Sequence, residues 1–407
     1  KAIPDNDCAN VLQGANYLAG ITTEMNWEYF ARCNNNIFPM LLLSIILRLG
    51  NAIHLQDVNS AIIFINVIQV LIALYCTFML SKKTNKANKT SPWMAMFMLA
   101  ACLPIIGHTQ SGYTDALSFC MSILAFYIWY CGYKRMKCDW IFIVDMILAG
   151  IVWGIGFEIK ATVIISFIAV LVYLLLFKEW KCLFKTIPCA VLIACIVVGC
   201  SAYTSSLPSE TMRDSYGTPK LTYWVGIGLK GNGGYVDNLE YNNLMAVIEG
   251  MEAKEDFSKQ YILDNLNEFI NMNHIIAKTR YNFANGGLGS SDFMRQTNNR
   301  NIIYECVSTS GSYFWRYCMV NTSYFYTLLI LILSACVTLF LVPLNENKTI
   351  IVVAIVSVFG IMLYVMLFEA NNRQLYNHLP WIIISSNIGL QNISLKLTSM
   401  KRKKQIL

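Results

Sequence analysis

Four short polar stretches interrupt an otherwise apolar chain, and each carries charge close to long hydrophobic runs. "IPDNDCANVLQGANYLAG" holds Asp5 and Asp7, "HTQSGYTDALSF" holds Asp115, and "GIGFEIKATV" holds Glu158 and Lys160. "FEANNRQLYNHLP", residues 368–380, holds Glu369 and Arg373. Carboxylates in such places move protons, hold cations or cap helices, and ammonium and guanidinium groups bind anions. Local sequence favours the modest roles. Asp7 and Asp115 each precede or open a helical pattern, where an aspartate satisfies free amides of the first turn. Lys160 shares a short connection with Glu158, so the two either pair locally or Lys160 binds an anionic headgroup. A charge beside lipid must snorkel, pair or bind something. Glu369 and Arg373 are four apart and would share a helix face if the preceding helix continued.

The elements that position these groups follow from composition. The chain is 56% hydrophobic and only 14% charged, against about 25% charged in soluble domains, which marks a polytopic all-α membrane protein. Nine apolar windows are long enough to serve as spans: 59–81, 92–107, 115–131, 140–157, 161–177, 186–203, 324–343, 349–367 and 379–393. The run 37–49 is too short to span and suits a helix lying in the interface.

Basic residues fix a sidedness. Lys82, Lys83, Lys86 and Lys89 follow the first window, Lys134, Arg135 and Lys137 the third, and Lys178, Lys181 and Lys185 the fifth. Lys396, Lys401, Arg402, Lys403 and Lys404 lie in the tail. By the positive-inside rule all of these are cytoplasmic, so the net +7 reflects topology and implies no nucleic-acid partner. The chain then divides into a first outer loop (1–58), an N-terminal bundle (59–203), a large outer loop (204–323) and C-terminal helices with a basic tail (324–407). An outside start at Lys1, which is not a methionine, implies an earlier helix upstream. The large loop carries Gly clusters and an amphipathic helix expected near 242–276, and reads as a folded lid or solvated loop.

Fourteen cysteines show no CxxC or Cys/His zinc spacing. Cys8, Cys33, Cys306 and Cys318 lie in polar segments, where free thiols are expected over a disulfide. His108, His274 and His378 read as ordinary polar residues before they read as ligands.

In order along nearly its whole length, the chain resembles the GT-C superfamily of integral-membrane glycosyltransferases. The relatives in view are bacterial members related to protein O-mannosyltransferases (glycosyltransferase family 39) and lipid-A aminoarabinose transferases. "PDNDCANVLQGANYLAG" is similar to that family's Pro-x-x-Asp-Gln opening, and "YFARCNNNIFPMLLLSIILRLG" to its Tyr-Pro-Asn-Asn interfacial helix. "SGYTDALSF" resembles its acidic second outer loop, "GFEIKATVIISF" its Gly-x-x-x-Lys entry, "WVGIGLKGNGGY" its glycine-bearing large-loop segment, and "FEANNRQLYNHLP" its Glu-Ala-x-x-Arg-Tyr signature. Cys33 replaces a frequent Pro, Cys8 a frequent Gln, and Gln374 a frequent Tyr.

The resemblance implies transfer of a sugar from a polyprenyl-phosphate donor to an acceptor hydroxyl at the outer face of the plasma membrane. A phosphate is a good leaving group, so one general base suffices. Asp7 is the candidate base. Asp115 is a second carboxylate that raises the first's proton affinity and orients the acceptor or, with Asp7 and His108, holds a divalent cation. Arg373 and Lys160 are the candidate phosphate ligands. Asp5, Tyr113, Glu158 and Glu369 are supporting residues, with Tyr376 and His378 as sugar or headgroup contacts. No organic cofactor is implied, and the acceptor is a glycan, lipid or protein. A polysaccharide polymerase or ligase would also use a lipid-linked donor, differing chiefly in transferring long chains. A transporter or flippase would place charge mid-membrane, where Asp145 is the main ionisable group.

Overall fold

The structure, a computed structural model, describes residues 6–55, 57, 59–84, 88–135, 140–219, 221–284, 286–293, 300–341 and 348–406. Asp5, Lys86 and Lys137 lie outside these. Every regular element among the described residues is helical. Among the described residues, six helices are long and apolar enough to cross a membrane: Ser60–Thr84, Thr114–Arg135, Trp140–Ile159, Trp180–Ser206, Phe314–Val337 and Lys348–Leu367. The chain is a polytopic membrane protein.

The three remaining windows fold differently. Ser91–Ala100 ends where Pro104 opens the separate helix Pro104–Thr109, and Ala161–Leu176 begins as a 3-10 turn over Ala161–Ile164. At about 1.5 Å per residue both fall short of a ~30 Å hydrocarbon core. The window 379–393 opens the 28-residue helix Leu379–Ile406, whose opening stretch is wrapped by protein: residues 379–389 are all buried. Its polar side chains explain its low apolarity. Ser386 donates to the Leu328 carbonyl at 3.0 Å and Asn387 to Ser91 at 3.0 Å. Gly389 packs so tightly on the Leu331 backbone that a Cβ has no room. Small and polar residues thus face helices where lipid-facing positions would be aliphatic.

The 37–49 run forms Ile37–Ala52, 16 residues long, or about 24 Å. It packs against Asn6–Leu18 through Val11, Ala15, Met40, Leu43 and Leu47. At Gly14 a Cβ would lie 2.6 Å from the Met40 sulfur and 2.8 Å from the Phe30 ring, so this crossing requires glycine. The unit rests on Ile62, Leu117 and Ile159, which are the near ends of three spans.

The 204–323 segment is a set of short helices. The single helix expected near 242–276 is instead Leu239–Val247, Met251–Asp264 and Met272–Phe283. Gly250, at φ 85°, breaks it first. Asn271 breaks it again by turning its side chain onto the Asn273 amide. Lys254 is 1% exposed and donates to the carbonyls of Asp214, Ser215 and Gly217 at 2.8–3.2 Å. Those carbonyls close the helix Glu210–Tyr216, so the ammonium caps it.

Candidate active site

Asp7 lies inside the first turn of Asn6–Leu18, and its carboxylate turns away from the helix. One oxygen accepts from the Tyr29 hydroxyl at 3.0 Å and the other from the Tyr113 hydroxyl at 3.3 Å. Asn36, 2% exposed, donates in turn to the Tyr29 oxygen at 2.5 Å. A phenol that accepts a hydrogen bond donates more strongly, so the chain Asn36, Tyr29, Asp7 fixes the carboxylate. Neither Tyr29 nor Asn36 was expected in the site. Both lie in "YFARCNNNIF", whose ring-and-amide content was the one available signal.

Asp115 also differs from its cap reading. The cap position of Thr114–Leu117 belongs to Tyr113, and Asp115 forms an ion pair with Lys160. Lys160 has extended backbone angles at the end of Trp140–Ile159, which turns its stem inward. The expected local pair with Glu158 therefore gives way to one spanning 45 residues of sequence. Both side chains are buried, at 1% and 9% exposure. The second Asp115 oxygen is buried with no hydrogen-bond partner among the described residues. Glu158 instead lies near Cys200 of the adjacent span.

The helix Lys348–Leu367 ends before Glu369, so Glu369 and Arg373 do not share a continuous helix face. Asn371 accepts from the Arg373 amide at 3.2 Å and starts the 3-10 turn Asn372–His378. The guanidinium carbon stands 5.2 Å from the centre of the Tyr113 ring. Burial opposes the Arg373 charge, but Tyr113, Asp115, Asp292 and Glu369 more than offset it and hold the proton firmly. Gly289, at φ 70°, seats a turn against Arg373, where a Cβ would collide with the arginine stem.

Burial pushes Glu369 up to about 7; Arg373, Lys160 and Lys278 pull against that and nearby Asp7 adds to it. Burial pushes Lys278 down to about 7, opposed by Glu369. Lys278 was not anticipated. It is fully buried, donates to the Gly228 carbonyl at 2.8 Å, and comes from the 204–323 segment. That segment clasps the 368–370 stretch, because the Ala370 amide donates to the Gly233 carbonyl at 2.7 Å.

Tyr376 and His378 are packing residues instead of open contacts. Tyr376 stacks on His108 at 3.9 Å and tilts on Phe119 at 4.6 Å. His378 is fully buried, and burial brings it down to about 3. His108 donates through Nε2 to the Leu288 carbonyl at 2.8 Å, and burial holds it neutral at about 4. His274 lies against the carbonyls of Gly228 and Gly231 at 3.1 and 3.0 Å. Among the described residues no three His, Cys, Asp or Glu side chains gather as a metal site, and Cys8, Cys33, Cys306 and Cys318 are free thiols.

Asp7, Asp115, Lys160, Glu369 and Arg373 thus come from four separate connections and act on one another electrostatically. They form a charged site at one end of a polytopic helical bundle. The chain belongs to a family described as a conserved hypothetical integral membrane protein, which matches residues 12–393. No curated protein matches it. Among solved structures it is similar to the oligosaccharyltransferase AglB of Archaeoglobus fulgidus in complex with an inhibitory peptide and a dolichol-phosphate, at 12% identity and a TM-score of 0.47. That similarity covers 98% of this chain and 51% of the other. The apo form of the Archaeoglobus fulgidus oligosaccharyltransferase is similar at 13% identity and a TM-score of 0.46, over 98% and 52%. The chain spans about half the length of these structures.

Proposed function

We propose that this protein is a membrane glycosyltransferase of the GT-C type that moves a sugar from a polyprenyl-phosphate donor to an acceptor hydroxyl. The observation that carries this reading is Tyr113, whose hydroxyl donates to Asp7 while its ring faces Arg373, beside the buried Asp115–Lys160 pair: two carboxylates and two cations gathered at the end of apolar helices. A lipid phosphate needs fixed positive charge at the membrane boundary, and an attacking hydroxyl needs a base.

In a single inverting displacement, Asp7 takes the acceptor proton as the acceptor oxygen bonds to the anomeric carbon. The bond from that carbon to the donor phosphate oxygen breaks, and polyprenyl phosphate leaves with its charge met by Arg373 and Lys160. Each Asp7 oxygen accepts one phenol hydrogen bond, which leaves lone pairs for the incoming proton. Asp115 holds Lys160 in place. Sidedness is supported by the span Thr114–Arg135, which has Asp115 at one end and Lys134 and Arg135 at the other. With the basic end cytoplasmic, the site faces outward.

The test is sugar transfer in vesicles from a polyprenyl-phosphate sugar. Asp7→Asn is expected to abolish transfer while the protein remains inserted and folded; full activity in that variant sinks the assignment.

A further inference from the structure

The helix Met272–Phe283 has two opposed faces. His274, Lys278 and Asn282 recur every four residues and are buried. Lys278 reaches the Gly228 carbonyl and Asn282 the Val365 carbonyl. Roughly opposite them, at the 3.6-residue helical period, lie Met272, Ile276, Thr279 and Phe283. The C-terminal half of this second face sits against two spans, near the end of Lys348–Leu367 and midway along Phe314–Leu341. Thr279 Oγ1 is 3.9 Å from the Met366 sulfur, and the Phe283 ring stacks on Phe325 with centroids 6.5 Å apart. The N-terminal half leaves the protein, and Met272 is 64% exposed with Ile276 exposed beside it. The chain leading into this helix adds Leu263, Leu266 and Ile270, the last 79% exposed.

We propose that residues 263–276 rest in the membrane boundary, with these five apolar side chains in lipid. The face that carries Met272 and Ile276 is continuous with the surface where Thr279 and Phe283 meet the spans. A helix packed on the sides and ends of spans meets the surrounding bilayer wherever it extends past them. The apolar and polar sides then match the two media, as in an interfacial helix. The opposite face of the same helix holds Lys278 beneath the glycine-rich 228–234 turn. Contact with lipid on one side therefore fixes the depth at which this segment meets the 368–370 stretch on the other. The inference rests on the membrane-protein class and is independent of the transfer chemistry.

Site-specific photocrosslinking tests it in the full-length protein. The crosslinking amino acid p-benzoylphenylalanine is placed at position 270, and separately at 272, in protein reconstituted into phosphatidylcholine vesicles. The peptide carrying the probe is expected to gain the mass of a lipid adduct at both positions. A control probe at position 256, where Asp256 is 73% exposed on Met251–Asp264, is expected to gain none. Lipid adducts at 270 and 272 no more frequent than at 256 overturn the proposal, placing the segment in water. Crosslinks between two copies of the chain at 270 in place of lipid adducts overturn it as well, assigning the apolar run to a dimer contact.

Discussion

Tyr113 ties Asp7 to the other end of the sequence: its hydroxyl donates to the carboxylate at 3.3 Å while its ring lies 5.2 Å beneath the Arg373 guanidinium. The two interactions use different parts of one side chain and can be separated. Tyr113→Phe keeps the ring and removes the donor. A hydrogen bond to a charged group contributes about 1.5–3 kcal/mol, so kcat is expected to fall about 10- to 100-fold with KM for the lipid donor nearly unchanged. Tyr113→Ala removes both and is expected to raise KM as well. Steady-state transfer kinetics on both variants check this, and equal KM changes in the two would contradict the division of labour.

The Asp115–Lys160 pair is buried on both sides, so removing one partner strands the other charge. Asp115→Leu is expected to destabilise the protein by about 3–5 kcal/mol. Asp115→Leu combined with Lys160→Met is expected to recover most of that loss while lacking activity. Thermal unfolding in detergent, with transfer assayed in parallel, separates the two effects.

Glu369 gives a pH signature. Its ordinary value of 4.5 rises to about 7 in the folded protein, through burial. Folding thus favours the protonated form. This contribution is fully present below the unfolded value and is lost as pH rises through the folded one. Glu369→Gln stays neutral throughout, so its stability relative to the parent is expected to increase across that window. With allowance for partial exposure the gain is about 1–2 kcal/mol. Melting curves from acid to mildly alkaline pH measure it, and a difference that does not vary with pH would refute the assignment.

Charge was the part of the site legible in sequence. Asp115, Lys160, Glu369 and Arg373 stand out because each interrupts apolar surroundings, where an ionisable group is expensive. Their partners were not legible. Lys160 pairs with Asp115 and not with Glu158, because one extended residue at the helix end turns its stem into the bundle. Tyr29, Asn36 and Lys278 act through approaches between distant segments, which periodicity does not encode. Tyr376 and His378 misled for the opposite reason, since a polar string carries no mark of burial. Three expected spans fall outside the six long apolar helices by length or wrapping: hydropathy records what a helix contains, not what surrounds it.

The protein-wrapped start of the helix Leu379–Ile406 has a consequence for biogenesis. Its buried Ser386 bonds the Ile382 carbonyl of its own helix and the Leu328 carbonyl, and Asn387 donates to Ser91; Leu328 and Ser91 belong to helices made earlier in synthesis. Lipid alone offers the Asn387 amide nothing, so this segment gains little by partitioning into a bare bilayer. Its entry is a docking event onto helices already resident, and the connection bearing Glu369 and Arg373 is drawn to its place in the same step. The charged site is therefore completed only after the helices that bear Leu328 and Ser91 are in place.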